Sequence, residues 1–401
     1  MFLKDTLLNV LRDQRPPAPA GAEVAREVAA GIPARSAQAI VLTGVRRSGK
    51  SILQSQLMRK TASSFYANLE DTRLFGLSPA DFPAFLASVE ELAPRSAPVF
   101  LDEVQEVPGW QRLVRSLLDG GRTVCVTGSN ASLLGRELGS LLTGRHLSFE
   151  VLPFSYREYL RGTRKRAGAA SLAGWLDDGG FPAYLRERDP RILPELLRDI
   201  IQRDIAARRR LRETRHVMNL ALFLIANTGQ PFSLHGLTKA LAIPAVGQTA
   251  RYVEYLQDAY LLFALPRFSP SFKKRVIAPN KYYAVDNGLR RAASPQRTPD
   301  TGHRLENAVY LELRRRGEPV FYAAEKDLWE CDFVTEQAAV QVCAELRPDN
   351  LDREVRGLAR ACRLPGKRRP LILTLDQRDR LTAEGMTIDV RPAWEWLEEG
   401  K

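Results

Sequence analysis

At 401 residues the chain is too long for one ordinary hydrophobic core, which predicts about two to four domains, and 44% hydrophobic content excludes a largely disordered chain. No apolar run is long enough to span a bilayer, and Met1-Phe2-Leu3-Lys4-Asp5 lacks the basic region and long apolar core of a secretory signal. The net charge of +12, carried mostly by arginine, favours a polyanionic partner, with nucleic acid first. The four cysteines form no C-x-x-C pair and the four histidines are scattered, which argues against structural zinc and suits a reducing cytoplasm.

Residues 1–36 read as an N-terminal segment: a short amphipathic stretch, then Arg15-Pro16-Pro17-Ala18-Pro19, which cannot be regular helix, then a helical pattern over 22–30. From about 37 to 152 strand and helix patterns alternate, as in a parallel sheet with helices on its faces. The strands are expected at 39–43, 64–68, 97–101, 122–127 and 146–151. Between the first strand and the helical spacing of Ile52-Leu53-Gln54-Ser55-Gln56-Leu57-Met58 lies Gly44-Val45-Arg46-Arg47-Ser48-Gly49-Lys50-Ser51. Strand, G-x-x-x-x-G-K-S and helix are the setting of a phosphate-binding loop. Gly44 and Gly49 let the backbone wrap its N–H groups around phosphate oxygens, and the helix N-terminus adds its dipole. Lys50 is expected to reach the β- and γ-phosphates of ATP, and the Ser51 hydroxyl to ligate Mg²⁺.

The third strand closes Pro98-Val99-Phe100-Leu101 on Asp102-Glu103, a Walker B pattern in which Asp102 holds the Mg²⁺ shell and Glu103 polarises the attacking water. The fourth ends in Thr127-Gly128-Ser129-Asn130, where Ser129 or Asn130 can read the γ-phosphate or cap a helix starting near Ala131.

Walker A, Walker B, a polar sensor strand and Thr143-Gly144-Arg145 before the fifth strand resemble the AAA+ ATPase core. The order continues through Leu152-Pro153-Phe154-Ser155-Tyr156-Arg157-Glu158-Tyr159 and Gly179-Gly180-Phe181-Pro182. As a whole it resembles a widespread group of prokaryotic AAA+ ATPases with an uncharacterised C-terminal domain. The resemblance implies ATP hydrolysis with Mg²⁺ at subunit interfaces of a homo-oligomer, a hexameric ring. It makes Arg145 the arginine finger that reaches a neighbour's γ-phosphate, with Arg136 as the fallback. Residues 153–215 become the helical lid, where Arg186 is one candidate second sensor. The lid also carries Arg208-Arg209-Arg210, a possible phosphate contact.

Residues 216–275 read as a winged helix. A short helix over Ser233–Leu241 and a turn at Ile243-Pro244-Ala245-Val246 lead into a second helix over Gln248–Leu256. That helix is expected to expose Gln248, Thr249 and Arg251 to DNA, and Tyr260-Leu261-Leu262-Phe263 to open a wing. Residues 276–401 form a second α/β unit, with a strand at 282–286, a helix at 305–313 and a hairpin over 330–334 and 339–346. This unit resembles the PD-(D/E)XK restriction-endonuclease-like fold, with Glu306 and Asp332 at two of its acidic positions. Gln341-x-Cys343 stands where (D/E)-x-K is required, so the expected site is degenerate and does not cut. The expected function is an AAA+ motor that remodels or translocates DNA. The rivals are an ATP-dependent signalling or defence switch with slow turnover, and an ATP-regulated nuclease.

Overall fold

The computed structural model describes residues 2–18, 23–129, 142, 144–293 and 300–400. They divide into two compact units, Met1–Leu152 with Asp258–Tyr260, and Pro153–Gln257 with Leu261–Lys401.

The first unit is built on five parallel strands: β1 (Ala39–Thr43), β2 (Phe65–Asn68), β3 (Val99–Asp102), β4 (Val124–Gly128) and β5 (His146–Glu150). Their order across the sheet is β2-β3-β4-β1-β5. Every residue of β1, β3 and β4 is buried, as expected of central strands with helices on both faces. Strand β3 starts at Val99 rather than at Ala97 because Pro98 has no N–H to give the ladder, although its carbonyl accepts from Phe65 N at 3.0 Å. Helices α1 (Lys4–Asp13), α2 (Lys50–Met58), α3 (Phe82–Leu92) and α4 (Trp110–Asp119) accompany the sheet. Leu7 and Leu11 of α1 join Phe85, Val89, Trp110 and Leu113 in one core, so the amphipathic start of the chain is part of this unit. The helical pattern at 22–30 yields a single 3₁₀ turn, Glu27–Gly31, which Gly31 and Pro33 cut short.

The second unit begins with helices α5 (Tyr156–Thr163), α6 (Ala169–Asp178), α7 (Pro182–Glu187) and α8 (Ile192–Asp199), which continues as a π-helix over Ile200–Ala207. Gly179-Gly180 forms the turn between α6 and α7. A Cβ on Gly179, whose φ is +74°, would sit 2.2 Å from Asp286 Oδ1, so glycine is required there. Next come α9 (Arg215–Ala226), β6 (Pro231–Phe232), α10 (Leu234–Ala240) and α11 (Val246–Asp258). They are followed by β7 (Leu262–Leu265), α12 (Phe272–Ile277) and β8 (Asn280–Ala284), and the three strands pair antiparallel in the order β6-β8-β7. Ser233 caps α10 through Gly236 N at 3.0 Å. Strand β7 opens two residues later than expected, and the strand sought at 282–286 lies two residues earlier, because Leu262 registers with Ala284.

The unit ends in a six-stranded mixed sheet. Helix α13 (Asn287–Ala293) and helix α14 (Thr301–Arg316), capped by Asp300 and stopped by Gly317, lead into β9 (Phe321–Glu325), β10 (Trp329–Val334) and β11 (Ala338–Val342). Helix α15 (Pro348–Cys362) crosses to β12 (Arg369–Thr374), which lies parallel to β11. A hairpin of β13 (Asp379–Ala383) and β14 (Met386–Pro392) and a last helix, α16 (Ala393–Glu399), close the unit. Among the described residues no helix is long and apolar enough to cross a membrane.

Candidate nucleotide-hydrolysis site

The glycine loop follows β1 directly and runs into α2 at Lys50, with Gly49 (φ 97°) as the N-cap. Gly44 has φ +147°, and a Cβ there would lie 2.2 Å from the Val151 carbonyl oxygen, so no other residue fits. Arg47 adopts φ 62°, a left-handed conformation that costs a non-glycine residue of order 1–3 kcal/mol and is tolerated where surroundings over-determine it. One such restraint is Arg26. Its buried guanidinium donates to Ser48 O at 2.8 Å and Leu152 O at 2.6 Å, bracing the loop from outside. Gln54, fully buried in α2, donates to Leu101 O and Cys125 O, both at 3.2 Å, and so fixes the helix against β3 and β4. Val45, Arg46 and Ile52 lie within the same strand-loop-helix. The Lys50 ammonium donates to Gly44 O at 3.0 Å and Val45 O at 3.1 Å.

Strand β4 lies between β1 and β3 in the sheet, so the ends of all three meet at one edge. There Ser51 Oγ donates to Asp102 Oδ1 at 3.1 Å and the Tyr66 hydroxyl donates to Asp102 Oδ2 at 3.1 Å. Burial, reinforced by the neighbouring Glu103 charge, raises the Asp102 carboxyl above the usual range. A hydroxyl and a buried carboxylate sharing a hydrogen bond are hard oxygen donors, and the buried hydroxyls of Ser48 and Ser129 have no partner among the described residues. This donor set fits an Mg²⁺ ion arriving with a nucleotide's phosphates, which needs few protein ligands of its own. Glu103 follows with φ 53°, half-buried, and receives Gln105 Nε2 on its carboxylate.

Thr127 is the residue that sequence reasoning missed. Its hydroxyl donates to Asp102 and accepts the Glu103 backbone N–H at 2.9 Å, so one side chain fixes both acidic residues. Asn130 and Arg136, with the helix sought at Ala131, lie outside the described residues. Arg145 lies beside the start of β1, its carbonyl accepting from Ala39 N at 2.9 Å, and its side chain, 41% exposed, pairs with exposed Asp119 at 2.8 Å. Arg186 pairs with its neighbour Glu187 on the surface.

The expected nucleic-acid residues of the second unit separate. Thr249 is fully buried with its hydroxyl 2.8 Å from Thr238 Oγ1, which corrects the expectation that it is exposed. Gln248 is half-buried and donates to the Tyr252 hydroxyl at 2.6 Å, whereas Arg251 is exposed. Arg208 and Arg209 are half-buried, Arg209 over the Tyr255 ring at 4.8 Å, and Arg210 is exposed.

Glu306, Asp332, Gln341 and Cys343 line one cavity of about 950 Å³. Sequence reasoning found no lysine for this group, yet Lys281 of β8 reaches it, 3.0 Å from Glu306 Oε1. Burial alone would depress the Lys281 ammonium, but the charges of Glu306 and its neighbours hold it well above its ordinary value. Burial pushes Glu306 up to about 7.

Residues 36–160 match the model of an AAA domain, and residues 171–300 match a domain of unknown function (DUF8612). The chain is 31% identical over 396 residues to the uncharacterized protein MJ1544 of Methanocaldococcus jannaschii, covering 89% of this chain and 87% of that one. It is 32% identical over 334 residues to an uncharacterized protein of Haemophilus influenzae, covering 77% and 83%. Among solved structures, a STAND (signal transduction ATPase with numerous domains) protein of Pyrococcus horikoshii aligns at TM-score 0.26 and 14% identity, covering 69% of this chain and 43% of that one. CDC6P of Pyrobaculum aerophilum aligns at TM-score 0.24 and 14% identity, covering 56% and 80%. The AAA match falls on the parallel sheet and the glycine loop, and marks a nucleotide-hydrolysing core. The chain belongs to the family of those two uncharacterized proteins, and its first unit is an AAA+ P-loop ATPase core.

Proposed function

We propose that this AAA+ ATPase hydrolyses ATP at subunit interfaces of a hexameric ring and uses the cycle to act on DNA. The observation that carries the hydrolytic part is the joint restraint of Asp102 and Glu103 by Thr127 beside Ser51. Mg²⁺, when bound with the nucleotide, neutralises charge on the phosphate oxygens. Ser51 and Asp102 are the residues that would hold it, and Lys50 supplies a second cation to the same phosphates. Glu103 accepts a proton from the water that attacks the γ-phosphorus, while the bond to the bridging oxygen breaks and leaves ADP and phosphate. Arg145 completes the site of the adjoining subunit. Its surface pairing with Asp119 is heavily screened by solvent, so the side chain leaves it at little cost.

The DNA part is supported by the tip between β7 and β8. Phe272, Val276 and Ile277 are 76%, 67% and 70% exposed, beside exposed Lys273 and Lys274. Arg275 holds this tip by donating to Ser269 O at 3.0 Å and lying 5.1 Å from the Phe321 ring centre. Adjacent cations favour a phosphate backbone, and apolar side chains beside them suit sugars and base steps. The tip therefore replaces Thr249 and Gln248 as the main candidate contact.

Fluorescence anisotropy with single-stranded, duplex and four-way-junction DNA tests the reading. Wild-type chain should bind at least one form, and Lys273→Glu with Lys274→Glu should weaken binding by about tenfold or more and flatten the salt dependence. Absence of binding, together with DNA-indifferent turnover and an ATP-dependent change in mass, would replace the motor with a switch.

A further inference from the structure

The likeness of residues 276–401 to PD-(D/E)XK nucleases implies a divalent cation held by Glu306 and Asp332. The residues present do not fit one. The Lys281 ammonium lies 3.0 Å from Glu306 Oε1, 3.2 Å from Asp332 Oδ1 and 2.7 Å from Glu330 Oε1, on a side chain 1% exposed. Divalent ions sit about 2.0–2.6 Å from their oxygen ligands, so an ion bridging these same oxygens would claim the space of the ammonium.

Further lone pairs of Asp332 and Glu306 are engaged as well. Asp332 Oδ2 accepts from Val342 N at 2.9 Å, and Glu306 Oε1 also accepts the Tyr283 hydroxyl at 2.6 Å. Gln341, which would have to be the third ligand, receives Asp332 N on its carbonyl oxygen at 3.4 Å. Among the described residues no group of three or more His, Cys, Asp or Glu could hold a metal ion.

We infer that Lys281 is the resident cation of this site, its ammonium standing where a nuclease holds its metal, so that the cavity takes no divalent ion. The substitution is intelligible on charge alone. Carboxylates brought together in a buried place need a positive partner. β8 delivers one from outside the nuclease-like motif, which leaves positions 341 and 343 free to lose the carboxylate and the lysine. The inference does not depend on DNA as the partner of the ATPase.

Mn²⁺ titration of the nucleotide-free chain, followed by electron paramagnetic resonance, tests it on wild type, Asp332→Asn and Lys281→Ala. Wild type and Asp332→Asn should bind Mn²⁺ alike, because Asp332 holds no metal. Lys281→Ala should gain an Mn²⁺ site at least about tenfold tighter than anything in wild type, because a +2 ion relieves the stranded carboxylates, and adding Asp332→Asn should remove it. Wild-type binding that Asp332→Asn abolishes would overturn the inference, as would Mg²⁺-dependent nicking of duplex DNA lost in Asp332→Asn. A folded Lys281→Ala chain that binds Mn²⁺ no better than wild type would overturn it too. If Lys281→Ala does not fold, the wild-type and Asp332→Asn pair decides.

Discussion

Thr127 shows how one hydroxyl can set the geometry of two acidic residues. It donates to Asp102 and accepts from Glu103 N, and Glu103 is held at φ 53°, where an unsupported glutamate would not stay. Thr127→Val keeps the shape and removes both bonds. Turnover should fall about tenfold or more, since two bonds of roughly 1 kcal/mol each are lost, while nucleotide affinity changes little. Phosphate release and fluorescent-nucleotide binding, measured side by side, check the split. Gly44→Ala is expected to do the opposite, because its Cβ would meet Val151 O at 2.2 Å. Nucleotide binding itself should be lost, or the chain should fail to fold.

The local motifs are legible because chemistry and spacing coincide: Gly44, Gly49, Lys50 and Ser51 lie within one loop, and Asp102-Glu103 ends one apolar run. Sequence alone favours Ser129 and Asn130 over Thr127, since residue type does not say which of several polar positions at a strand end turns toward the neighbouring strand. Arg26 and Lys281 are invisible for a different reason. The first meets Leu152 across 126 positions and the second meets Asp332 across 51, and neither separation leaves a periodic trace.

Among the elements, α11 shows what a position-based reading would have found. Thr249, Tyr252, Val253 and Leu256 are its buried residues, spaced three, four and seven apart, so Thr249 belongs to the apolar stripe despite its hydroxyl. The turn between α6 and α7 is held from β8's end by Asp286, whose buried carboxylate accepts from Gly180 N at 2.6 Å and Leu289 N at 2.9 Å. Burial dominates over these bonds and pushes Asp286 up to about 6 from 3.8. A carboxyl raised on folding contributes stability that is fully present below about pH 4 and is lost as pH rises through about 6. Thermal unfolding of wild type against Asp286→Asn should therefore shift in the variant's favour across that window, by up to about 3 kcal/mol, and stay level above it. A difference that does not vary with pH would refute the assignment.

For the strap ahead of the P-loop, Arg26→Met replaces a buried guanidinium bonded to two carbonyls. The loss should be about 2–3 kcal/mol of stability, seen by denaturant unfolding, with weakened nucleotide binding.

At the scale of the molecule, the AAA+ core and the family are shown, while the second unit's role is read from its surface chemistry. Net charge of +12 and the basic, apolar tip at 272–277 are the features on which the proposed polyanionic partner rests, whereas in the cavity of the second unit Lys281 pairs with Glu306, Glu330 and Asp332. The fold is legible at the level of alternating strands and helices; the ion pairs of Lys281 depend on β8 reaching a helix and a strand far along the chain.

The central claim is that Ser51, Asp102 and Glu103 form a hydrolytic site that Arg145 of a second copy completes. Steady-state phosphate release from Glu103→Gln, from Arg145→Ala and from an equimolar mixture of the two tests it directly. Each variant alone should retain nucleotide binding and lose about 10²-fold or more in turnover. The mixture should recover part of the rate, because an intact Glu103 then meets an intact Arg145 across an interface. Undiminished turnover in Glu103→Gln, or a mixture no faster than its components, would contradict the account.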